Sequence, residues 1–206
     1  MTADARVLNW TFVVPGADRF LMLPIDDERP EGAVTPASRT PAALDEALDT
    51  EPYAGVAAPD LASWGEASPA ERGPLLERLA GVVAPGGWLY AGFPNAWYPG
   101  NARRPGARSS RAVMRDLRAA GFGRVDAYVA LPHHRCPAFL IEEADPSALR
   151  YFLDRLSFPY VESDDPRKAR MKQRVLAAGR RAALIAPAGT RARFAPGAAV
   201  VARRSA

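Results

Sequence analysis

The run His133-His134-Arg135-Cys136 gathers every histidine and cysteine of this 206-residue chain into four consecutive positions. Imidazole titrates near neutrality and serves as a general base, so His133 and His134 are the candidate catalytic residues. Imidazole and thiolate also ligate zinc. Adjacent side chains on one strand point to opposite faces, however, and no second cluster completes a ligand set, so no metal site is expected. A second group lies in the loop Pro94 to Asn101. There Asn95, Trp97 and Tyr98 offer hydrogen bonds and flat apolar surface to a substrate. Arg103 and Arg104, close to Arg108 and Arg111, can grip a carboxylate or phosphate through paired N–H groups.

These residues need elements to hold them. Tyr53–Ala58 reads as a short buried strand that delivers Asp60 to its exit. Ser68-Pro69-Ala70-Glu71 reads as a helix start, with Leu75, Leu76, Leu79, Val82 and Val83 inward and Pro85-Gly86-Gly87 as the stop. Trp88–Phe93 is the next strand, leading into the Asn95–Tyr98 loop. Ser109 or Ser110 caps a helix ended by Gly121, and Val125–Leu131 is a strand that delivers the histidines. Asp145-Pro146 and Asp165-Pro166 start two further helices, and Ala198–Ala202 is a terminal strand.

Near the start, Val7–Val14 and Arg19–Ile25 are apolar runs separated by turn residues. They form either a hairpin or, in the second run, the first strand of a central sheet. Ala33–Thr35 is a weak strand, and Thr40-Pro41 opens a helix with Leu44 and Leu48 on one face. Strand and helix alternate through the middle, which predicts an α/β fold: a mostly parallel sheet with helices on both faces. No internal repeat appears, and one domain over 1–206 is expected.

Composition narrows the function. Residues 1–100 carry 6 basic and 14 acidic side chains, a balance of −8, whereas residues 101–206 carry 21 and 9, a balance of +12. An acidic protein partner or a homodimer suits that split, as does mutual surface complementation of the two halves. Aromatics are not interleaved among the basic residues, so nucleic acid is not the expected partner. No apolar run nears the roughly 18 residues of a membrane span, and MTADARVLNW lacks a signal-peptide pattern. The single Cys136 allows no internal disulfide. A cytoplasmic protein acting on a small molecule is the expectation.

Two motifs in order carry a resemblance: the helix with Pro85-Gly86-Gly87 before Trp88–Phe93, and Leu117-Arg118-Ala119-Ala120-Gly121-Phe122 before Val125–Val129. With the strand ending at Asp60 and the tail Val200-Val201-Ala202-Arg203-Arg204, they resemble a class I S-adenosylmethionine-dependent methyltransferase over residues 53–130 and the last ten. The resemblance implies a Rossmann-like sheet with an antiparallel last strand, S-adenosylmethionine as cofactor, and Asp60 at the cofactor edge. The N-terminal part departs from that family. Phe20–Ile25 leads into Asp26-Asp27-Glu28-Arg29-Pro30-Glu31-Gly32, without the family's glycine-rich turn, and Ala33–Arg39 holds no acid for the ribose. Asp26 and Asp27 are the carboxylates available there to an altered cofactor site. The expected function is a methyltransferase-like enzyme of small-molecule, specialised metabolism with an altered or reduced S-adenosylmethionine site. The alternatives are a cofactor-independent cyclase or isomerase on the same fold, and a non-catalytic partner subunit of a related enzyme.

Overall fold

The structure, a computed structural model, describes residues 5–25, 30–49, 51–67, 74–156 and 166–206. Seven strands form one sheet: β1 (Phe20–Met22), β2 (Ala33–Val34), β3 (Tyr53–Ala58), β4 (Val83–Pro94), β5 (Phe122–Leu131), β6 (Phe139–Glu142) and β7 (Gly197–Arg204). Their order is β2-β1-β3-β4-β7-β5-β6. β1 pairs in parallel with β2 and β3, and β3 with β4. β7 lies between β4 and β5, antiparallel to both, and β6 runs antiparallel to β5 along the edge. Five strands therefore run one way, and the last strand is inserted against them. That is the Rossmann-like, methyltransferase-like sheet that the two glycine-terminated motifs imply.

Helices α1 (Pro41–Leu48), α2 (Leu75–Gly81), α3 (Ser110–Ala119), α4 (Pro146–Tyr151) and α5 (Pro166–Ile185) connect the strands. α1 and α3 start where their sequences say: the Thr40 and Ser109 side chains accept from the Ala43 and Ala112 N–H groups. Leu44, Leu75, Leu76, Leu79, Val113 and Leu117 bury one face of the sheet. A 3-10 helix, Ala5–Val13, covers the other, with Trp10 stacked on Tyr90 at 5.4 Å and meeting Phe20 edge-on at 6.0 Å.

The N-terminal runs do not form a hairpin. Val7–Val13 is helical, and only the second run enters the sheet, as a parallel strand. The helix expected to reach Val83 stops at Gly81. Val83 already pairs with Tyr53, and the register shifts before Gly55 meets Trp88. The Pro85-Gly86-Gly87 turn is thus an irregularity within a twelve-residue strand rather than a helix terminator. The helix start at Ser68–Glu71 and the carboxylates Asp26 and Asp27 lie outside the described residues.

Candidate functional site

The exits of β3, β4 and β5 share one edge of the sheet, because Pro94 and Ala130 both oppose Gly197 across β7. Asp60, Asn95 and the 133–135 loop therefore meet there. His134 has no solvent exposure, and its Nε2 lies 3.1 Å from Asp60 Oδ1. A carboxylate only accepts, so Nε2 carries the hydrogen, and Nδ1 is left buried without a hydrogen-bond partner. Arg135 Nε reaches the other oxygen, Oδ2, at 3.2 Å. Burial works to raise the Asp60 pKa, and it is outweighed by the His134 hydrogen bond, by the charges of His134 and Arg135, and by Ser63, so the carboxyl is held below its usual value. Burial lowers the His134 pKa against the pull of Asp60.

His133 stands beside it, with the two rings 4.1 Å apart and tilted by 32°. The sequence expectation of opposite faces fails, because both residues leave β5 and lie in a loop. Arg104 Nη1 lies 3.1 Å from His133 Nε2, and the Arg135 N–H donates to Nδ1 at 3.2 Å. Both ring nitrogens thus face N–H groups. Burial, then His134 and Arg104, push the His133 pKa down to about 4. The ring is uncharged at neutral pH.

Backbone contacts fix this loop. A Cβ on Gly92 would come within 2.3 Å of the Pro59 carbonyl oxygen, and one on Gly197 within 2.5 Å of the His134 amide nitrogen. Only glycine lets β4 and β7 accept the two loops this closely.

The Asn95 side chain is a brace. Its Nδ2 donates to the Ala192 and Ala195 carbonyls at 3.0 and 2.9 Å, and its Oδ1 accepts from Trp97 N–H at 3.1 Å. Asn101, buried, donates to the Asn95 and Pro196 carbonyls. Trp97 is 53% exposed, with the Arg193 guanidinium 4.6 Å from its ring centre. Tyr98, half-buried, packs its ring over Gly100 and opens the 3-10 turn Pro99–Asn101. Arg103 is exposed on the same loop.

The structure thus joins Asp60, His133, His134 and Arg104 in one cluster, and sets Asn95 and Trp97 beside a separate cleft. Asn95, Trp97, Ser110, Arg111, Glu143, Ala192 and Arg193 line that cleft. Sequence reading missed Glu143. Its partner Ser110 lies 33 positions away, and no local spacing announces the pair.

The seat that the fold family provides for S-adenosylmethionine lies at the exit of β1. Here Trp64, 1% exposed, donates its Nε1–H to the Pro24 carbonyl at 3.2 Å. Arg39 donates to the Pro24 and Ile25 carbonyls and lies over the Trp64 ring, 5.7 Å from its centre. The Pro24 and Ile25 carbonyls thereby have side-chain partners. β2 is two residues long, and the stretch 33–39 carries no acid for a ribose. Asp60 already pairs with His134 through one oxygen and with Arg135 through the other. The described residues do not fit the cofactor in its family pose.

No protein-family profile matches the chain, and no curated protein matches it. Among solved structures, it is similar to a SAM-dependent methyltransferase of Thermotoga maritima, described as a possible histamine N-methyltransferase. The identity is 12%, covering 98% of this chain and 88% of that one, with a TM-score of 0.48. A SAM-dependent methyltransferase of Archaeoglobus fulgidus matches at 14% identity, covering 98% and 92%, also with a TM-score of 0.48. These are likenesses of outline; strand order and the inserted β7 define the fold.

Proposed function

We propose that this chain is a cytoplasmic enzyme of small-molecule, specialised metabolism on a methyltransferase-like fold, with the S-adenosylmethionine site reduced. On this reading it is a cofactor-independent cyclase or isomerase. The observation that carries the proposal is the pair Trp64 and Arg39, which occupies the Pro24 and Ile25 carbonyls at the β1 exit.

The geometry supports the following roles. His134 is buried and ties the loop to Asp60, so it positions rather than meets a substrate. His133 is half-buried and uncharged at neutral pH, with its Nε2 facing the Arg104 guanidinium. An anionic substrate that draws the Arg104 guanidinium away would remove a positive charge from beside the ring and make it a better proton acceptor. Arg104 is exposed, which leaves it free to move.

Calorimetry with S-adenosylmethionine and with its demethylated product tests the reading. No binding heat is expected from either ligand. Saturable binding of either one would overturn the proposal.

The charge split favours a second reading, a non-catalytic subunit whose basic C-terminal half docks an acidic partner. Purified chain that turns over a substrate alone would exclude it.

A further inference from the structure

The cleft beside Trp97 has features that the strand-edge cluster lacks. It lies between the β4 exit, the first turn of α3, the end of β6 and the 3-10 helix Ala188–Phe194. Ser110, buried on the first turn of α3, donates its hydroxyl to Glu143 Oε1 at 2.5 Å. Among the described residues none donates a hydrogen bond to Oε2, so one acceptor oxygen of the carboxylate remains available. Arg111 contributes a nearby positive charge, and Arg193 a second. With Arg193 resting on it, Trp97 still shows half of its surface to solvent.

The walls are held before any ligand arrives. Asn95, buried, locks the Trp97 backbone to the Ala192 and Ala195 carbonyls, so the indole and the Arg193 segment keep their spacing. Glu143 is fixed at both ends: its N–H donates to the Ala127 carbonyl at 2.8 Å, and its carboxylate is held by Ser110. Such fixing lowers the ordering cost of binding.

The chemistry of the lining selects its occupant. Two guanidinium groups against one carboxylate leave a net positive cleft, which favours an acid. A flat, half-open indole favours a planar ring. A carboxylate acceptor favours a hydroxyl or amino donor on that ring. We propose that the cleft bounded by Trp97, Arg111, Arg193 and the Ser110–Glu143 pair binds a small aromatic acid that carries a hydroxyl or amino group. The acid meets the arginines, the ring lies along Trp97, and the donor group meets Glu143. In its use as a substrate site this rests on the small-molecule reading above; the binding itself does not.

The probe is 4-hydroxybenzoate, titrated into the full chain by calorimetry at neutral pH. Benzoate and 4-hydroxybenzyl alcohol each lack one recognised group. The hydroxy acid is expected to bind more tightly than either. Arg193→Ala and Arg111→Ala should each weaken it about tenfold, the worth of a charge-assisted hydrogen bond. Glu143→Ala should abolish the preference over benzoate while retaining benzoate affinity. Thermal melts confirm that each variant folds, and Trp97→Phe supplies an independent readout by removing the fluorescence change at the site. No binding of 4-hydroxybenzoate, or equal binding by the folded arginine variants, would overturn the proposal. Either outcome leaves the donor calorimetry untouched, so the two failures are told apart.

Discussion

The exit of β1 and the cleft beyond β4 lie on the same sheet and differ in how they treat polar groups. At β1, an indole and a guanidinium cover the last carbonyls and satisfy them. Beyond β4, a carboxylate, two guanidinium groups and half an indole are left facing a space. Satisfied, covered backbone belongs to packing; charged side chains gathered around an opening can recognise a ligand. The comparison teaches that, among the described residues, polar side chains gather around an opening beyond β4, while those at the β1 exit pack on its carbonyls.

The largest test of that contrast is Trp64→Ala. Trp64 is buried against Leu23, Leu61 and the rest of the main cluster, so truncation should cost about 3–5 kcal/mol in denaturant unfolding. It should not create affinity for S-adenosylmethionine, because glycine turn and ribose acid are still missing. Donor binding by the folded variant would break the contrast by showing that one side chain alone closes an intact seat.

Asp60→Asn sharpens the contrast from the other end of the edge. The amide keeps the acceptor for His134 but turns an N–H toward Arg135 or loses that partner. A loss of about 1–3 kcal/mol is expected by thermal or chemical unfolding. Affinity for 4-hydroxybenzoate should be unchanged, because none of the cleft residues touches Asp60. A matching loss of ligand affinity would mean that cluster and cleft are one site.

Much of the scaffold was legible because it rests on local rules. Thr40-Pro41 and Ser109 cap helices where capping chemistry says they should, and the buried runs at Tyr53, Trp88 and Val125 are strands. Val7–Val13 misled because an apolar run carries no sign of whether it pairs or covers; here its Trp10 caps an aromatic cluster on the sheet. In the site, Asp60 and His134 were each visible, but their pairing spans 74 residues and depends on strand order. Trp64 and Arg39 seal the β1 exit through backbone carbonyls, which no residue pattern records. Glu143 gains its meaning only from Ser110, brought alongside by α3.

The smallest effect expected is a pH dependence at His133, and it has a definite sign. The folded ring has its pKa pushed down to about 4 from an ordinary 6.5. Between those values the unfolded chain binds the extra proton and the folded chain does not, so this stabilisation is present above pH 6.5 and is lost as pH falls toward 4. The ring is half-exposed, and solvent screening holds the difference to about 1 kcal/mol. Asp60, whose pKa is also lowered, loses its contribution only at more acid pH, which separates the two windows. Comparing unfolding free energies of the natural chain and His133→Gln from pH 7 to 4 isolates the histidine: the variant should lose less stability. An NMR titration adds the cause. Removing the guanidinium with Arg104→Ala should move the His133 midpoint upward, because a positive charge leaves the side of the ring. An unmoved midpoint would assign the depression to burial with His134 and Arg135, and with it would go the idea that Arg104 holds the imidazole ready for an anion to release.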